Sequence, residues 1–165
     1  MALSGFSSPH RRIRGGILKI ALIEASQLLQ VLDNGKSEFR IYSKNGWAEY
    51  ECREDSASYT ETTEIRDGAA RTTHTLEFSL VGTDTASKSA MEQILLSPSG
   101  ILAVITTADS GMLLLGYSNL MKSEYPLRLS GSETLSGSKP LDFCGRRITL
   151  RSVDASPACR ATKYE

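Results

Sequence analysis

The sequence predicts a mainly β protein, an antiparallel β-sandwich or barrel that carries one short flanking α-helix. From Thr72 onward the side chains alternate, so that His74 and the apolar residues after it lie on one side of a strand. This period of two is typical of a half-buried strand. Two nearly continuous apolar runs follow at residues 101–105 and 112–115, with turn residues between them. About eight such strands follow one another with short turns, which favours antiparallel pairing.

Length and composition indicate one domain with a polar arm in front of it. A chain of 165 residues is long enough to bury a core. Residues 1–14 include Ser4, Gly5, Ser7, Ser8 and Pro9, which is typical of a polar arm with no core of its own. We therefore divide the chain into an N-terminal arm at residues 1–14, a single β-rich domain at residues 15–160 and a C-terminal tail at residues 161–165.

Charge and cysteine usage exclude several classes of protein. Nineteen basic residues balance nineteen acidic ones, so no net field draws the chain to nucleic acid or to a membrane surface. No apolar run approaches the length of a membrane span, and the N-terminal segment is not apolar enough for a signal peptide. The three cysteines, Cys52, Cys144 and Cys159, are odd in number and scattered. They fit free, dispensable thiols in a cytoplasmic setting better than a disulfide framework.

The first third of the chain predicts short strands and turns. We expect the first strand at residues 17–23. Residues 26–32 are compatible with a strand or with one or two helical turns. Hairpin turns are predicted at Asp33-Asn34-Gly35 and at Asn45-Gly46, on either side of a short strand at residues 39–42. Trp47 then opens an alternating stretch.

The middle of the chain predicts an edge segment and the helix. Residues 54–67 are polar and threonine-rich, which is typical of a long loop or an edge strand, and Asp67-Gly68 predicts the turn into the next strand. Asp84 or Thr85 is expected to cap a short helix, which ends at Ser97-Pro98-Ser99-Gly100. The helix should bury an apolar stripe made of Ala86, Ala90, Met91, Ile94 and Leu95.

The last third remains β in character. Residues 126–129 predict a short strand that begins with a proline. Residues 130–139, rich in serine and glycine, predict a flexible loop or a loop ordered only by a partner. Residues 146–153 alternate as a half-buried strand, and the tail from Ala155 is short and polar. The centre of the core is predicted to contain Leu76, Phe78, Ile94, Val104, Leu114 and Leu150.

No group of side chains has the spacing of a catalytic, cofactor-binding or metal site. His74 and His10 are the only histidines, which excludes a histidine-rich metal site. His74 lies on the apolar side of its strand, as a buried, hydrogen-bonded structural histidine does. The cysteines lack C-x-x-C spacing, and the sequence contains no dinucleotide-binding, P-loop or serine-hydrolase motif.

Two sets of charged residues have a chemical and a structural interpretation. Glu49 and Glu51 share a strand face, as glycosidase carboxylates can, but we expect them to pair with arginines across strands instead. Arg146, Arg147 and Arg151 have the chemistry to contact phosphate, whereas arginines on a wet strand face are more often solvated or salt-bridged. We expect neither set to be catalytic.

The order of motifs along residues 14–160 resembles that of small structural proteins encoded by tailed bacteriophages and prophages, of the tail-tube or head–tail connector kind. The motifs that carry the resemblance are Gly15-Gly16 with the first strand, Thr73-His74-Thr75-Leu76-Glu77-Phe78, the short helix, Leu113-Leu114-Leu115-Gly116, Pro126-Leu127-Arg128-Leu129, Ser136-Gly137, Cys144-Gly145-Arg146-Arg147-Ile148-Thr149-Leu150 and Ser156-Pro157-Ala158.

The resemblance implies a virion building block that self-assembles into a ring, expected to be hexameric, or a tube around a DNA channel. The implied partners are other copies of the chain, adjacent phage tail or connector proteins, and double-stranded DNA that passes non-specifically through the lumen, with no membrane and no cofactor. The implied location is the virion, after assembly in the cytoplasm of the bacterial host. In such proteins a terminal arm and long loops reach neighbouring subunits, and the candidates here are residues 1–14, 54–67 and 130–139.

Two other functions remain open at this point. A small-molecule or carbohydrate-binding β-barrel would need a cavity lined by aromatic side chains, for which Trp47 and a few tyrosines are available. An enzyme would need a carboxylate pair such as Glu49 and Glu51. The oligomeric state separates these functions, because a ring or fibre favours the virion protein and a monomer with a ligand-sized pocket favours the binding module.

Overall fold

The fold is that of a computed structural model, which describes residues 2–9, 14–33, 38–53, 55–109 and 111–165. These residues form one α-helix, a 3-10 turn and a series of β-strands. The helix is α1 (Thr85–Leu95) and the turn is Ala25–Gln27. The strands are β1 (Ile17–Glu24), β2 (Leu28–Asp33), β3 (Glu38–Ser43), β4 (Ala48–Tyr50), β5 (Ser58–Arg66), β6 (Ala69–Val81), β7 (Ile101–Thr107), β8 (Met112–Leu115), β9 (Tyr117–Ser118), β10 (Ser123–Glu124), β11 (Arg128–Leu135), β12 (Gly145–Asp154) and β13 (Cys159–Tyr164).

Two sheets pack face to face as a β-sandwich. One sheet has seven strands in the order β2-β3-β13-β8-β7-β1-β4, and the other has four in the order β11-β12-β6-β5. Neighbouring strands are antiparallel except for β3 and β13, which are parallel. The predicted fold class is confirmed as a sandwich with one helix, and neither sheet closes into a barrel. Among the described helices, none has the length and apolar character needed to cross a membrane.

The main core lies between the two sheets. The apolar sides of β6 and β12, which are neighbours in the four-stranded sheet, pack together on β1 and β7. Phe78 is fully buried there and meets Tyr50 edge to face, with 6.3 Å between ring centroids. Four of the six residues predicted for the centre of the core belong to this cluster: Leu76, Phe78, Ile94 and Leu150.

Val104 and Leu114 are buried as predicted, but on the other face of the seven-stranded sheet. They oppose each other in register on β7 and β8 and pack with Phe39, Ile41 and the small side chains of β13. We call this cluster the second core. Successive side chains of a strand point to opposite faces, so the neighbours of Val104 in β7 enter the main core instead. The apolar run of β7 is therefore buried on both faces, as its continuous hydrophobicity indicated.

The predicted helix is present but packs along a narrower stripe than expected. The Asp84 side chain accepts a hydrogen bond from Ser87 N at 3.1 Å, which confirms the N-cap. Ile94 is buried, whereas Ala86 is exposed and Leu95 is 55 % exposed. The predicted five-residue stripe is wrong at those two positions, because a helix lying along the rim of the sandwich faces the core with only one row of side chains.

Two turn predictions have different outcomes. Asn45-Gly46 does not make a hairpin, because β3 pairs with β2 and β13 while β4 pairs with β1. The chain instead passes there from one end of the seven-stranded sheet to the other. Asp67-Gly68 does make a tight hairpin, with both residues at positive φ, 52° and 79°, which is the geometry of the favoured two-residue turn. The predicted turns at Asp33-Asn34-Gly35 and Ala108-Asp109-Ser110-Gly111 lie partly outside the described residues.

Three undecided or incorrect segment predictions are resolved. Residues 26–32 contain the end of the 3-10 turn followed by strand β2. Residues 54–67 contain β5, an edge strand rather than a long loop. Residues 130–139 are not simply a flexible loop, because β11 continues to Leu135 and pairs with β12 along its length. The backbone of a serine- and glycine-rich stretch is as able to form a ladder as any other, so composition alone was misleading.

The polar tail predicted from Ala155 contains a strand of the larger sheet. β13 lies between β3 and β8, and Cys159 and Ala161 are buried with Val104 and Leu114 on the face of the sheet opposite the main core. The sequence of β13 alternates between apolar and polar residues, but the signal is weak because the buried side chains, Cys159 and Ala161, are small. The polar residues between and after them are Arg160 and Thr162. Residues 161–164 therefore complete the sheet instead of trailing from it.

Candidate functional surfaces

His74 is the centre of a buried hydrogen-bonded group, as the sequence predicted. The side chain is 3 % exposed. Its Nε2 lies 3.1 Å from the carbonyl oxygen of Ser156, and its Nδ1 lies 2.6 Å from the hydroxyl of Tyr59. That hydroxyl is 2.8 Å from a carboxylate oxygen of Glu61, which also accepts a hydrogen bond from Ala158 N at 3.1 Å. The group ties the edge strand β5 to the segment between β12 and β13.

The same contacts define what the His74 group does chemically. Burial, and after it the neighbouring Glu61 carboxylate, raise the pKa of Tyr59, so its hydroxyl keeps its proton. Ser152 opposes His74 in register on β12, which places a serine beside a histidine. However, His74 Nε2 faces the carbonyl of Ser156, and the buried Ser152 hydroxyl has no hydrogen-bond partner among the described residues. The arrangement cross-links strands and does not activate a nucleophile.

Glu49 forms a cross-strand ion pair, but with a lysine and not with an arginine as predicted. Its carboxylate lies 2.6 Å from Lys19 Nζ on the neighbouring strand β1, and the Tyr164 hydroxyl donates to it at 3.4 Å. The hydrogen bond from Lys19 lowers the pKa of Glu49. Both side chains are about half exposed, so the pair contributes little to stability. Glu51 follows β4 and lines the depression described below.

The three C-terminal arginines have separate structural environments. Arg146 donates to the hydroxyls of Ser87 and Thr134, at 3.2 and 3.1 Å, and so attaches the helix to β12. Arg147 forms an ion pair with Glu133 of β11 at 3.1 Å. Arg151 is exposed and lies opposite Arg128 in register. The structure does not bring the three guanidinium groups to one site.

The cysteines are spread over different parts of the fold. Cys159 is buried, Cys52 is partly buried and Cys144 is exposed, and none is in a disulfide. Burial raises the pKa of both Cys52 and Cys159 to about 11. Over the part of the chain that the structure describes, no three histidine, cysteine or acidic side chains come together in a way that could hold a metal ion.

The N-terminal arm exposes large apolar side chains. Residues 2–9 have no helix or strand, and all are exposed. Leu3 is 98 % exposed and Phe6 is 87 % exposed. An apolar side chain held in water forgoes about 1.5–3 kcal/mol relative to a buried one. The described part of the arm therefore gains no free energy from burying these side chains against its own domain.

The hairpin of β5 and β6 is the second projecting element. Residues 60–71 are all exposed, including Ile65 at 78 %. β5 is also an outer strand of the four-stranded sheet, so one side of its backbone is open to pairing. Other large apolar side chains are exposed at scattered places on the surface: Leu95, Leu96, Leu120, Met121 and Leu141.

A groove runs between β4, the last strand of the larger sheet, and helix α1. We call it the β4–α1 groove. It consists of two adjoining depressions of ≈ 360 and ≈ 600 Å³, both of which include Ala48 and Tyr50 in their walls. The smaller one is lined by Leu22, Ile94 and Leu96 at its apolar part. The smaller depression is lined by Glu24, and the larger one by Glu49, Glu51 and Asp84. Among the described residues that line the two depressions there is no lysine or arginine.

The aromatic residues proposed for a sugar-binding cavity are used in packing. Trp47 meets Tyr164 edge to face, with 5.5 Å between centroids, over the second core. Tyr50 is the aromatic side chain in the β4–α1 groove. Neither protein-family models, nor curated proteins, nor solved structures give a match to this chain.

Proposed function

We propose that this chain is a structural protein of a tailed-bacteriophage virion, which assembles with copies of itself into a ring or tube around a DNA channel. The observation that carries the proposal is the exposure of large apolar side chains on projecting segments, Leu3 and Phe6 on the arm and Ile65 on the hairpin. Single exposed apolar side chains are common on monomers, so the proposal rests on their presence on segments that extend from the domain, where a neighbouring copy can bury them. The assignment to a virion, as distinct from another kind of assembly, is inferred from the resemblance in the order of motifs along the chain.

Open strand edges support self-assembly as the mode of contact. The outer strands of the two sheets are β2 and β4 in one and β11 and β5 in the other. An open edge pairs readily with an extended segment of another chain. A ring repeats one heterologous contact between two different surfaces of the chain, so one projecting segment and one receiving edge are sufficient. The arm, the β5–β6 hairpin and residues 130–139 are the proposed contact segments.

The proposed tube must also carry DNA without binding it tightly. The chain has no net charge, so basic side chains at subunit contacts would leave acidic ones to face the lumen. An acidic lumen repels the phosphate backbone and lets the duplex pass. In this proposal the ring is hexameric, adjacent tail or connector proteins stack on it, and the finished assembly belongs to the virion.

The oligomeric state of the purified full chain tests the proposal. Sedimentation velocity is expected to show a species several times the 18.0 kDa chain mass, and negative-stain microscopy is expected to show rings or tubes with a central channel. Raising the ionic strength should weaken charge-based contacts but leave those made by apolar side chains. A chain that remains monomeric at high concentration, with or without salt, contradicts the proposal and returns the binding-module alternative.

A further inference from the structure

The β4–α1 groove has the features of a receptor for an extended peptide. One wall is the last strand of a sheet, which offers backbone groups for an added strand, and the other wall is a helix. Between them lies an apolar depression, beside which Leu95, the last helix residue, and Leu96, its C-cap, are 55 % and 75 % exposed. Strand addition obtains affinity from main-chain hydrogen bonds and selectivity from pockets for alternate side chains.

The charge of the groove specifies the kind of peptide. Four acidic residues lie along it, and of these Glu49 is paired with Lys19. Asp84 also accepts the helix-capping hydrogen bond, while Glu51 projects from the end of β4. An acidic groove with an apolar floor fits an extended segment that carries both arginines and a large apolar side chain.

The first 14 residues of the chain have this composition. They contain three arginines, one histidine and no acidic residue, together with Leu3 and Phe6. Thirteen residues in extended conformation span up to about 43 Å, which is enough to leave one subunit and cross the groove of the next. Residues 2–9 are all exposed here, so the arm does not occupy the groove of its own subunit.

We propose that the β4–α1 groove receives the N-terminal arm of a second copy of this chain, which lies beside β4 as an added strand with Phe6 in the apolar depression. The arginines that follow Phe6 face the acidic side chains of the groove. This inference rests on the proposed function in one respect, because it takes another copy as the partner. It adds the receiving site and its chemistry.

Photochemical cross-linking of the full chain tests the site. Phe6 is replaced by the photoreactive benzoylphenylalanine in ¹⁴N-labelled protein, which is mixed with ¹⁵N-labelled protein under dissociating conditions, reassembled and irradiated. Mass spectrometry is expected to find mixed-isotope cross-links from position 6 to β4 or α1. The same replacement at Leu120, which is 66 % exposed and outside the groove, is the control and should give no such cross-link. Cross-links only within one isotope, or to another surface, overturn the inference.

A peptide experiment separates this inference from the proposed function. A fluorescent peptide with the sequence of residues 2–14 is titrated with the full chain, and binding is followed by anisotropy. Glu51→Lys should weaken binding roughly tenfold by reversing a groove charge, whereas Glu124→Lys, an exposed change outside the groove, should not. A single glutamate in place of Arg11 or of Arg12, in two separate peptides, should restore part of the affinity for the Glu51→Lys chain at the position that faces residue 51. If the chain assembles but Glu51→Lys and Glu124→Lys change peptide binding equally, the groove is not the binding site, and the proposed function is unaffected. If the chain is monomeric but only Glu51→Lys weakens peptide binding, the groove chemistry is supported and the ring is contradicted.

Discussion

Phe78 shows how one residue position can be assigned from the sequence and then given an energetic role. It lies on the apolar side of β6, is 0 % exposed and contacts Tyr50 across the sandwich. We expect Phe78→Ala to lower the free energy of unfolding by about 3–5 kcal/mol, because the change removes a buried aromatic ring and leaves a cavity. Guanidinium denaturation followed by circular dichroism measures the loss.

The matched control for Phe78 lies three residues further along the same strand. Val81 is 67 % exposed, so Val81→Ala should change the free energy of unfolding by no more than about 0.5 kcal/mol. An unchanged denaturation midpoint for Phe78→Ala would mean that the inward face of β6 has been assigned incorrectly.

The three thiols should differ in reactivity according to burial. Cys144 is exposed, while burial raises the pKa of Cys52 and Cys159 to about 11. At pH 8 a thiol of that pKa is about one part in a thousand thiolate, and the thiolate is the reactive form. Iodoacetamide is therefore expected to modify Cys144 first, and the rates at the other two should rise as the pH approaches 11. Peptide mass spectrometry gives the order; equal rates for Cys144 and Cys159 at pH 8 would be inconsistent with it.

The face of the sheet on which a side chain lies was predictable where apolar and polar residues alternate, and ambiguous where every residue of the strand is apolar. The alternation in β6 assigns Leu76 and Phe78 to the inner side without further information. In β7 every residue from 101 to 105 is apolar and buried, so the sequence carries no signal for which face Val104 occupies. Only its pairing with Leu114 across the sheet places it in the second core.

At the scale of elements, the His74 group fastens an edge strand to the rest of the sandwich. Tyr59→Phe removes the hydroxyl that lies between His74 Nδ1 and Glu61. We expect a loss of about 1–3 kcal/mol in the free energy of unfolding, because a buried ring nitrogen then lacks a partner. Hydrogen exchange should show the largest increase in β5. Tyr125→Phe is the control, since Tyr125 lies at 36 % exposure outside this group; an equal effect of the two changes would remove the role assigned to Tyr59.

The turn after β11 depends on a charged acceptor. Asp142 accepts hydrogen bonds from the amides of Ser138 and Lys139, at 3.0 and 2.9 Å, and from the Ser138 hydroxyl. These hydrogen bonds, the Ser138 amide first, lower the pKa of Asp142 below its ordinary value of 3.8. Because the folded pKa is lowered, the stabilisation is present above pH 3.8 and is lost as the pH falls through the folded pKa.

Nuclear magnetic resonance checks the Asp142 turn directly. The amide proton shifts of Ser138 and Lys139 should titrate together with a midpoint below 3.8, and this titration should disappear in Asp142→Asn. A midpoint at or above 3.8 would show that the carboxylate gains nothing from the two amides.

Elements were predictable where local residues decide them and missed where distant ones do. The cap at Asp84 and the turn at Asp67-Gly68 follow from residues within one turn. Asn45-Gly46 has the same turn chemistry but joins strands from opposite ends of the sheet, and its destination depends on the pairing of β4 with β1. β13 likewise depends on distant residues, because it pairs with β3 on one side and with β8 on the other. The β4–α1 groove could not be predicted, since its walls come from segments about forty residues apart.

At the scale of the whole molecule, the core and the projecting segments are energetically separate. The three clusters of buried side chains lie in the strands, the 3-10 turn and one row of α1, and they include none of the described arm residues. The described arm residues, 2–9 and 14, are all exposed. Folding should therefore not depend on the arm, whereas an assembly that buries Leu3 and Phe6 should.

Deletion of residues 1–14 is expected to leave a folded chain that no longer assembles. The circular dichroism spectrum and the denaturation midpoint should match those of the full chain, because none of the described residues in the deleted segment belongs to the core. Sedimentation should show monomer, because each subunit loses its basic segment and large apolar side chains that include Leu3 and Phe6. A second variant with serine in place of both Leu3 and Phe6 keeps the arm and its charge. It separates the apolar contribution of the arm from the charge contribution, and it should weaken assembly at low salt without abolishing it. If the truncated chain forms the same oligomer as the full one, the arm is not an assembly element and the contacts must come from the β5–β6 hairpin or the open strand edges.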